Sequence, residues 1–111
     1  MIVGEPVLST FLNKWKTQLT SEIQEVKHSR ERFLDLLLIA DPSEKIVQQY
    51  LPKGHLFAFL NEGEAIGVVH LIHTSGTVME VKNIAVKEEE QGNGYGKRLL
   101  QFALNFCTQQ G

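Results

Sequence analysis

Residues 78–96, VMEVKNIAVKEEEQGNGYG, constrain this chain more than any other stretch of it. An apolar strand pattern ends at Val86, and a charged loop follows. Gln91-Gly92-Asn93-Gly94-Tyr95-Gly96 then opens onto a helical pattern that begins KRLLQFALNF. Three glycines therefore alternate at the mouth of a helix. There the backbone can approach an anion closely, and the first helical amides have no internal acceptor. A strand, loop and helix joined in this way form a cradle for a phosphate-bearing ligand.

With 111 residues the chain is long enough for one small domain and too short for two. Apolar residues make up 42%, so a core can form, with the thin margin of a small domain. Eleven Lys and Arg against thirteen Asp and Glu give a net charge of −2. No broad basic stripe is left, which argues against a nucleic-acid partner. Apolar runs such as Leu36 to Ala40 are far too short to span a membrane, and the N-terminus carries no signal-peptide pattern. The single cysteine, Cys107, falls at apolar spacing on the last helix. It reads as a buried thiol, with a nucleophile as the weaker alternative. A cytoplasmic location is expected from that cysteine usage.

Val7, Leu8, Phe11, Leu12, Trp15 and Leu19 recur at helical spacing, with Pro6 suited to a first turn. This predicts an amphipathic extension over residues 1–20, ahead of a domain over residues 21–111. Ile23 to Lys27 alternates as an edge strand does. Ser29 is the expected cap of a helix through Arg32, Phe33, Leu36, Leu37 and Ile39. Asp41-Pro42-Ser43-Glu44 predicts a second start, with Asp41 as N-cap, Pro42 at N1 and Glu44 closing a capping box. Ile46, Val47, Tyr50 and Leu51 would form the buried face of that helix, and Pro52-Lys53-Gly54 would end it. Three strands follow, at residues 55–60, 65–73 and 78–86, and their short turns imply an antiparallel meander. Gly67 inside the second marks a bulge or a close backbone contact. The last helix is expected to bury Leu99, Leu100, Phe102, Ala103 and Phe106, and Glu88 to Glu90 to form a solvated run.

Spacing sorts the glycine loop among phosphate binders. A P-loop needs GxxxxGK with a following hydroxyl; here the stretch from Gly92 to Lys97 is one residue short and Arg98 takes the hydroxyl position. The dinucleotide fingerprint GxGxxG needs a strand directly before it and a βαβ unit, and this chain has neither. The third pattern, [QR]xxGxG, is satisfied by Gln91 to Gly96, a few residues after the run Asn83-Ile84-Ala85-Val86. On these residues the chain resembles the GNAT acetyltransferase superfamily, over roughly residues 21–111. The resemblance implies an α+β fold in α/β/α layers, with a mixed sheet, incomplete here and mainly an antiparallel meander, and flanking helices. It implies acetyl-CoA as co-substrate, an amine acceptor and no metal. The amides of Gln91, Gly92, Asn93, Gly94, Tyr95, Gly96 and Lys97 would wrap the pyrophosphate. Ile84, Ala85 and Val86 would pair with the pantetheine through main-chain atoms, as an added strand does. Lys97 also reads as a plain solvated lysine.

Along Val78, Glu80, Lys82, Ile84 and Val86 the pattern turns from polar to apolar, which predicts a β-bulge near Lys82 to Ile84. Acetyl transfer needs a base for the amine and a donor for the oxyanion. Glu80 lies five residues before Ala85, the spacing at which the histone-acetylating branch of the family places its base. A substrate-orienting carboxylate, or an ion pair with Lys82, is the competing reading. The amide near Ile84 is the candidate oxyanion donor. The acid is usually a tyrosine in a later segment, and Tyr50 has no spacing argument. His70 and His73 fall on opposite faces of one strand, and His28 and His55 lie at element starts, so the four histidines are not expected to form a metal site.

The family domain continues with another strand, a helix and two more strands. The NIAV strand is therefore expected to be an exposed apolar edge. Three readings follow: a truncated acetyltransferase with little activity alone, which is preferred; a sheet completed by a second chain, as in a homodimer; or a non-catalytic CoA-binding or interaction module.

Overall fold

In His55-Leu56-Phe57-Ala58-Phe59-Leu60 both parities are apolar, so a strand made of them must be covered on both sides. The computed structural model describes residues 22–110 and shows that arrangement. The helical extension expected over residues 1–20 lies outside the described residues. Strands β1 (Glu22–Glu25), β2 (His55–Asn61), β3 (Glu64–Ser75) and β4 (Val78–Val86) form one sheet in the order β1-β2-β3-β4. Every pairing among them is antiparallel. Helices α1 (Leu34–Ala40) and α2 (Glu44–Tyr50) cover one face, and α3 (Tyr95–Gln110) covers the other. The layers expected from the sequence are therefore present, and the meander at residues 55–86 stands as read.

The two parities of β2 separate two cores. Leu56 and Ala58 pack with Leu37, Val47, Val68 and Ala85 under α1 and α2. Phe57 and Phe59 pack with Val69, Leu71, Leu99 and Ala103 under α3. Phe102 and Phe106 each meet Phe57 edge-on, with ring centroids 4.9 Å apart, a geometry that adds to plain area burial. Leu100 is 41% exposed and Ile46 47% exposed, against expectation. Each lies one residue from the buried stripe of its helix, a rotation of about 100° that turns a side chain to the flank.

Both helix starts differ from the sequence reading. Ser29 adopts left-handed backbone, φ 56°, and its side chain caps nothing. A 3₁₀ turn, Arg30–Phe33, precedes α1. This tight turn sets the Arg30 guanidinium against four carbonyls, those of Val26, Leu51, Lys53 and Gly54, at 2.8–3.1 Å. One side chain thus joins the end of β1 to the end of α2 and the entry of β2. In the second helix the N-cap is Ser43, whose Oγ accepts from the Ile46 amide at 3.3 Å. Asp41 is not the cap. Pro42 holds the residue before it extended, and the Asp41 carboxylate accepts instead from the Ser43 amide and the Tyr50 hydroxyl.

Three register shifts interrupt the sheet; the last leaves Thr74 as the extra residue beside the β3–β4 turn, and the first two shape the site. Phe59 pairs with Gly67 and Leu60 with Ala65, which leaves Ile66 as the extra residue in β3. His70 pairs with Asn83 and Leu71 with Val81, which leaves Lys82 as the extra residue in β4. The second bulge falls where the polar-to-apolar switch predicted it. Beside the first, a Cβ on Gly67 would lie 2.9 Å from Leu99 Cδ1 and 3.0 Å from the Ala85 carbonyl oxygen. Helix α3 sits this close only because that position has no side chain. Gly67→Val is expected to lower stability by about 1–3 kcal/mol, the usual cost of overpacking, as measured by urea unfolding. An unchanged midpoint would show that α3 is not held by this contact.

Candidate functional site

The loop after β4 takes its shape from its own side chains. The Lys87 amide donates to the Ile66 carbonyl at 2.9 Å, and Glu88–Glu90 form a 3₁₀ turn. Gln91 Nε2 donates to the Val86 carbonyl at 2.9 Å, and Asn93 Nδ2 to the Glu90 carbonyl at 3.2 Å. Gly92 and Gly94 have φ of 86° and 84°, and a Cβ on either would meet nothing within 4 Å. Backbone conformation, not crowding by the chain itself, selects glycine there. Gly96 differs: its φ is ordinary, and a Cβ would lie 3.8 Å from Val86 Cγ2.

The Arg98 amide reaches the Gly94 carbonyl at 3.1 Å. The amides of Tyr95, Gly96 and Lys97 precede that bond, so they have no intrahelical acceptor, and the positive end of the α3 dipole lies among them. Lys97 is exposed. The Arg98 guanidinium lies over the Phe59 ring, 4.8 Å from its centroid. Lys87 pairs with Glu64, whose carboxylate holds the Lys87 ammonium above the usual lysine range. The loop thus abuts the end of β4, and it joins Gln91 to Lys97 to Val86. Ile84 and Val86 are half-buried toward α3, and Ala85 is buried toward α1 and α2. Among the described residues β4 pairs only with β3 and leaves its other edge free.

On the α2 face, a cavity of about 260 Å³ opens beside the Lys82 bulge. Ile46, Ile72 and the Tyr50 ring supply its apolar lining; Gln49, Lys53, Glu80 and Lys82 supply its polar lining. Glu80, the candidate base, is half-exposed, and its Oε1 stands 4.0 Å from Lys82 Nζ. That is the outer limit of an ion pair, so both groups retain most of their hydrogen-bonding capacity. Lys82 Nζ also lies 5.6 Å from the Tyr50 ring centroid, within cation–π range.

Behind the cavity runs a buried polar chain that the sequence reading missed. Asn83 Nδ2 donates to the Leu37 carbonyl and to the Tyr50 hydroxyl, both at 2.9 Å, and that hydroxyl donates to Asp41 Oδ2 at 3.2 Å. Burial pushes the Tyr50 phenol above the usual tyrosine range. With both hydroxyl functions engaged, Tyr50 serves the network rather than a reacting group. Asn83 in an apolar strand was the available signal, since a buried amide needs partners.

His70, cross-strand neighbour of Asn83, is fully buried, and its Nε2 meets the Lys53 carbonyl at 2.6 Å. Nε2 therefore carries the hydrogen and Nδ1 is a lone-pair acceptor. His70 Nδ1 and Asn83 Oδ1 are buried without a hydrogen-bond partner among the described residues. His73 faces the other way, its ring 6.1 Å from that of His55 on the α3 side. Among the described residues no group of three or more His, Cys, Asp or Glu is placed to hold a metal. Cys107 is half-buried, with Sγ donating to Met79 Sδ at 3.5 Å in the α3 core.

The model of the acetyltransferase (GNAT) family matches residues 16–111. The uncharacterized N-acetyltransferase YvbK of Bacillus subtilis is 38% identical over 85 residues, which are 77% of this chain and 55% of that protein. Among solved structures, a Bacillus subtilis acetyltransferase in complex with CoA is 36% identical with a TM-score of 0.74, covering 80% of this chain and 59% of that one. A GNAT family acetyltransferase from Elizabethkingia anophelis with acetyl-CoA bound is 34% identical with a TM-score of 0.75, covering 79% and 57%. The chain thus spans rather more than half the length of these relatives.

Burial holds the His70 imidazole below the usual histidine pKa, and the nearby charges of Arg30 and His55 act in the same direction. The unfolded chain therefore binds a proton that the native chain refuses, and stability falls as pH drops through the unfolded value of about 6.5. The melting temperature is expected to fall from about pH 7.5 to about pH 5.5, and His70→Gln should flatten that slope. An identical slope in the variant would remove His70 as its source.

Proposed function

The chain belongs to the GNAT acetyltransferase family, and from that premise we propose that it binds acetyl-CoA and supports acetyl transfer to an amine. The observation that carries this reading is the pair of left-handed glycines that shape the loop at the mouth of α3. The pyrophosphate would lie on the amides from Gln91 through Lys97, where Gly92, Gly94 and Gly96 leave room. The pantetheine would pair with the free edge of β4 at Ile84, Ala85 and Val86. CoA and acetyl-CoA complexes among the relatives support the choice of ligand.

In the reaction the acceptor ammonium first gives a proton to Glu80. The neutral nitrogen attacks the thioester carbonyl, and the amide near Ile84 stabilises the oxyanion. As the C–N bond forms and the C–S bond breaks, the CoA thiolate leaves. The second amine proton goes to that thiolate, and Glu80 releases the first to solvent. Glu80 and Ile84 are four residues apart, on the order of 10 Å of bulged strand, so the first proton passes through water. With one edge of β4 unpaired among the described residues, the 111-residue polypeptide alone is proposed to turn over slowly. The second reading is a non-catalytic module that pairs this edge with a partner or a second copy.

Acetyl-CoA should raise the melting temperature, by up to about 2.7 kcal/mol of stabilisation at a hundredfold excess over Kd, while NAD and ATP should not. Gly94→Glu, which adds bulk and negative charge beside the pyrophosphate, should abolish the shift. No shift in the parent chain would favour the module. In a transfer assay, Glu80→Gln should lower kcat by roughly 10²–10⁴-fold with acetyl-CoA binding intact. A variant with unchanged kcat would exclude Glu80 as base, and ordinary rates from residues 1–111 alone would exclude the slow-turnover proposal.

A further inference from the structure

The cavity beside the Lys82 bulge is lined by two lysines, Lys53 and Lys82, and one glutamate, Glu80. Its side chains thus contribute one net positive charge. Lys82 and Glu80 stand 4.0 Å apart, too far for a hydrogen bond between them, and Lys53 forms no ion pair among the described residues. Lys82 is also steadied by the Tyr50 ring. This ring is itself fixed through its hydroxyl to Asn83 and Asp41. A cation held on a rigid aromatic face has lost part of its side-chain freedom already, which lowers the cost of ordering it on a ligand.

We propose that this cavity takes an amine acceptor that also carries an anionic group, in the simplest case a small amino carboxylate. This inference rests on the acetyl-transfer reading. The acceptor's ammonium faces Glu80, the proposed base, across the relaying water, and its carboxylate meets Lys82. A volume of about 260 Å³ lies just below the usual range for ligand pockets. It matches about eight or nine waters, so the occupant is small or enters by one end only. The 4.0 Å between Glu80 and Lys82 suits opposite charges separated by a short spacer. A polycationic amine would place surplus positive charge against two ammoniums, which the same geometry disfavours. In the transfer step the nitrogen of this acceptor forms the new C–N bond, and its two protons leave to Glu80 and to the CoA thiolate as above. The carboxylate of the acceptor takes no part in bond making, and Lys82 acts on binding alone.

The test uses the protein and acetyl-CoA with three acceptor sets: the common amino acids with β-alanine and γ-aminobutyrate; the amides of the same compounds; and spermidine. At least one amino carboxylate should exceed its own amide in kcat/KM by on the order of tenfold, the worth of one charge-assisted hydrogen bond. Lys82→Gln should raise KM for the carboxylate, leave kcat nearly unchanged, and bring the ratio close to one. Lys82→Glu should turn the preference toward the amide or spermidine. Equal rates for acid and amide, a preference for spermidine in the parent protein, or a ratio that survives Lys82→Gln would each overturn the proposal. So would acetyl-CoA binding with no transfer to any of the three sets. Failure of acetyl-CoA to bind would instead remove the reading on which the proposal rests.

Discussion

The site depends first on how β4 is held at the margin of the described sheet. One edge of β4 is paired with β3 and the other is free among the described residues, so its position must be fixed from its faces. Asn83 does this on the α1 and α2 side. Its amide nitrogen donates at once to the Leu37 carbonyl at the middle of α1 and to the Tyr50 hydroxyl at the end of α2. These are buried bonds, and losing a partner would strand a desolvated donor or acceptor at about 1–3 kcal/mol. The two helices and the strand are therefore coupled through one side chain. On the other face Gly67 lets α3 come down onto β3, where Leu99 packs beside the Ala85 carbonyl. Hydrogen bonding on one side and close packing on the other leave the free edge of β4 with a defined place.

The Lys82 bulge then lets one strand serve two purposes. Before it, Glu80 belongs to the α2 face and lines the cavity; Met79 belongs to the α3 core. After it the parity is reversed, so Asn83 and Ala85 take the α2 face and Ile84 and Val86 the α3 face. A regular strand could not bring Glu80 and Asn83 to the same side, since they differ by three residues. The extra residue supplies the missing step. The side chain of that residue, Lys82, also lines the cavity. Cofactor contact through main-chain atoms and acceptor contact through side chains, both as proposed, are thereby assigned to successive parts of β4.

What was legible in the sequence is what local rules control. The meander follows from alternation and short turns, the bulge from a break in that alternation, and the helix after the glycine loop from its apolar period. The starts of α1 and α2 were misplaced because distant groups decide them. Ser29 could cap a helix, but the Arg30 guanidinium collects four carbonyls, three of them more than twenty residues away in the chain, and a left-handed turn sets it there. Asp41 could cap as well, but its carboxylate is taken by Tyr50 nine residues on. The candidate base was found by spacing within the family. The cavity around it was not, because Ile46, Tyr50, Lys53 and Ile72 come from α2, the turn after it and β3, and no periodicity within one element joins them.

In the glycine loop side-chain charge cancels, and the backbone amides remain for the proposed phosphate contact. Between Lys87 and Arg98 the side chains supply three cations and three carboxylates, so their net charge is zero. Lys87 is engaged by Glu64, and the Arg98 guanidinium lies on the Phe59 ring. Lys97 is left as the exposed cation of the first turn, a poor placement for the helix dipole and a useful one only if an anion is present. A cradle built on side-chain charge would not carry Glu88, Glu89 and Glu90 directly before it. These carboxylates are compatible with the proposed recognition by amides, which act over short distances and in fixed directions. Their directions follow from the two left-handed glycines, from the Gln91 bond back to Val86 and from the Asn93 bond back to Glu90. The loop's proposed selectivity for a pyrophosphate is therefore a property of backbone shape, and that shape is written in Gly92 and Gly94 rather than in any charged residue.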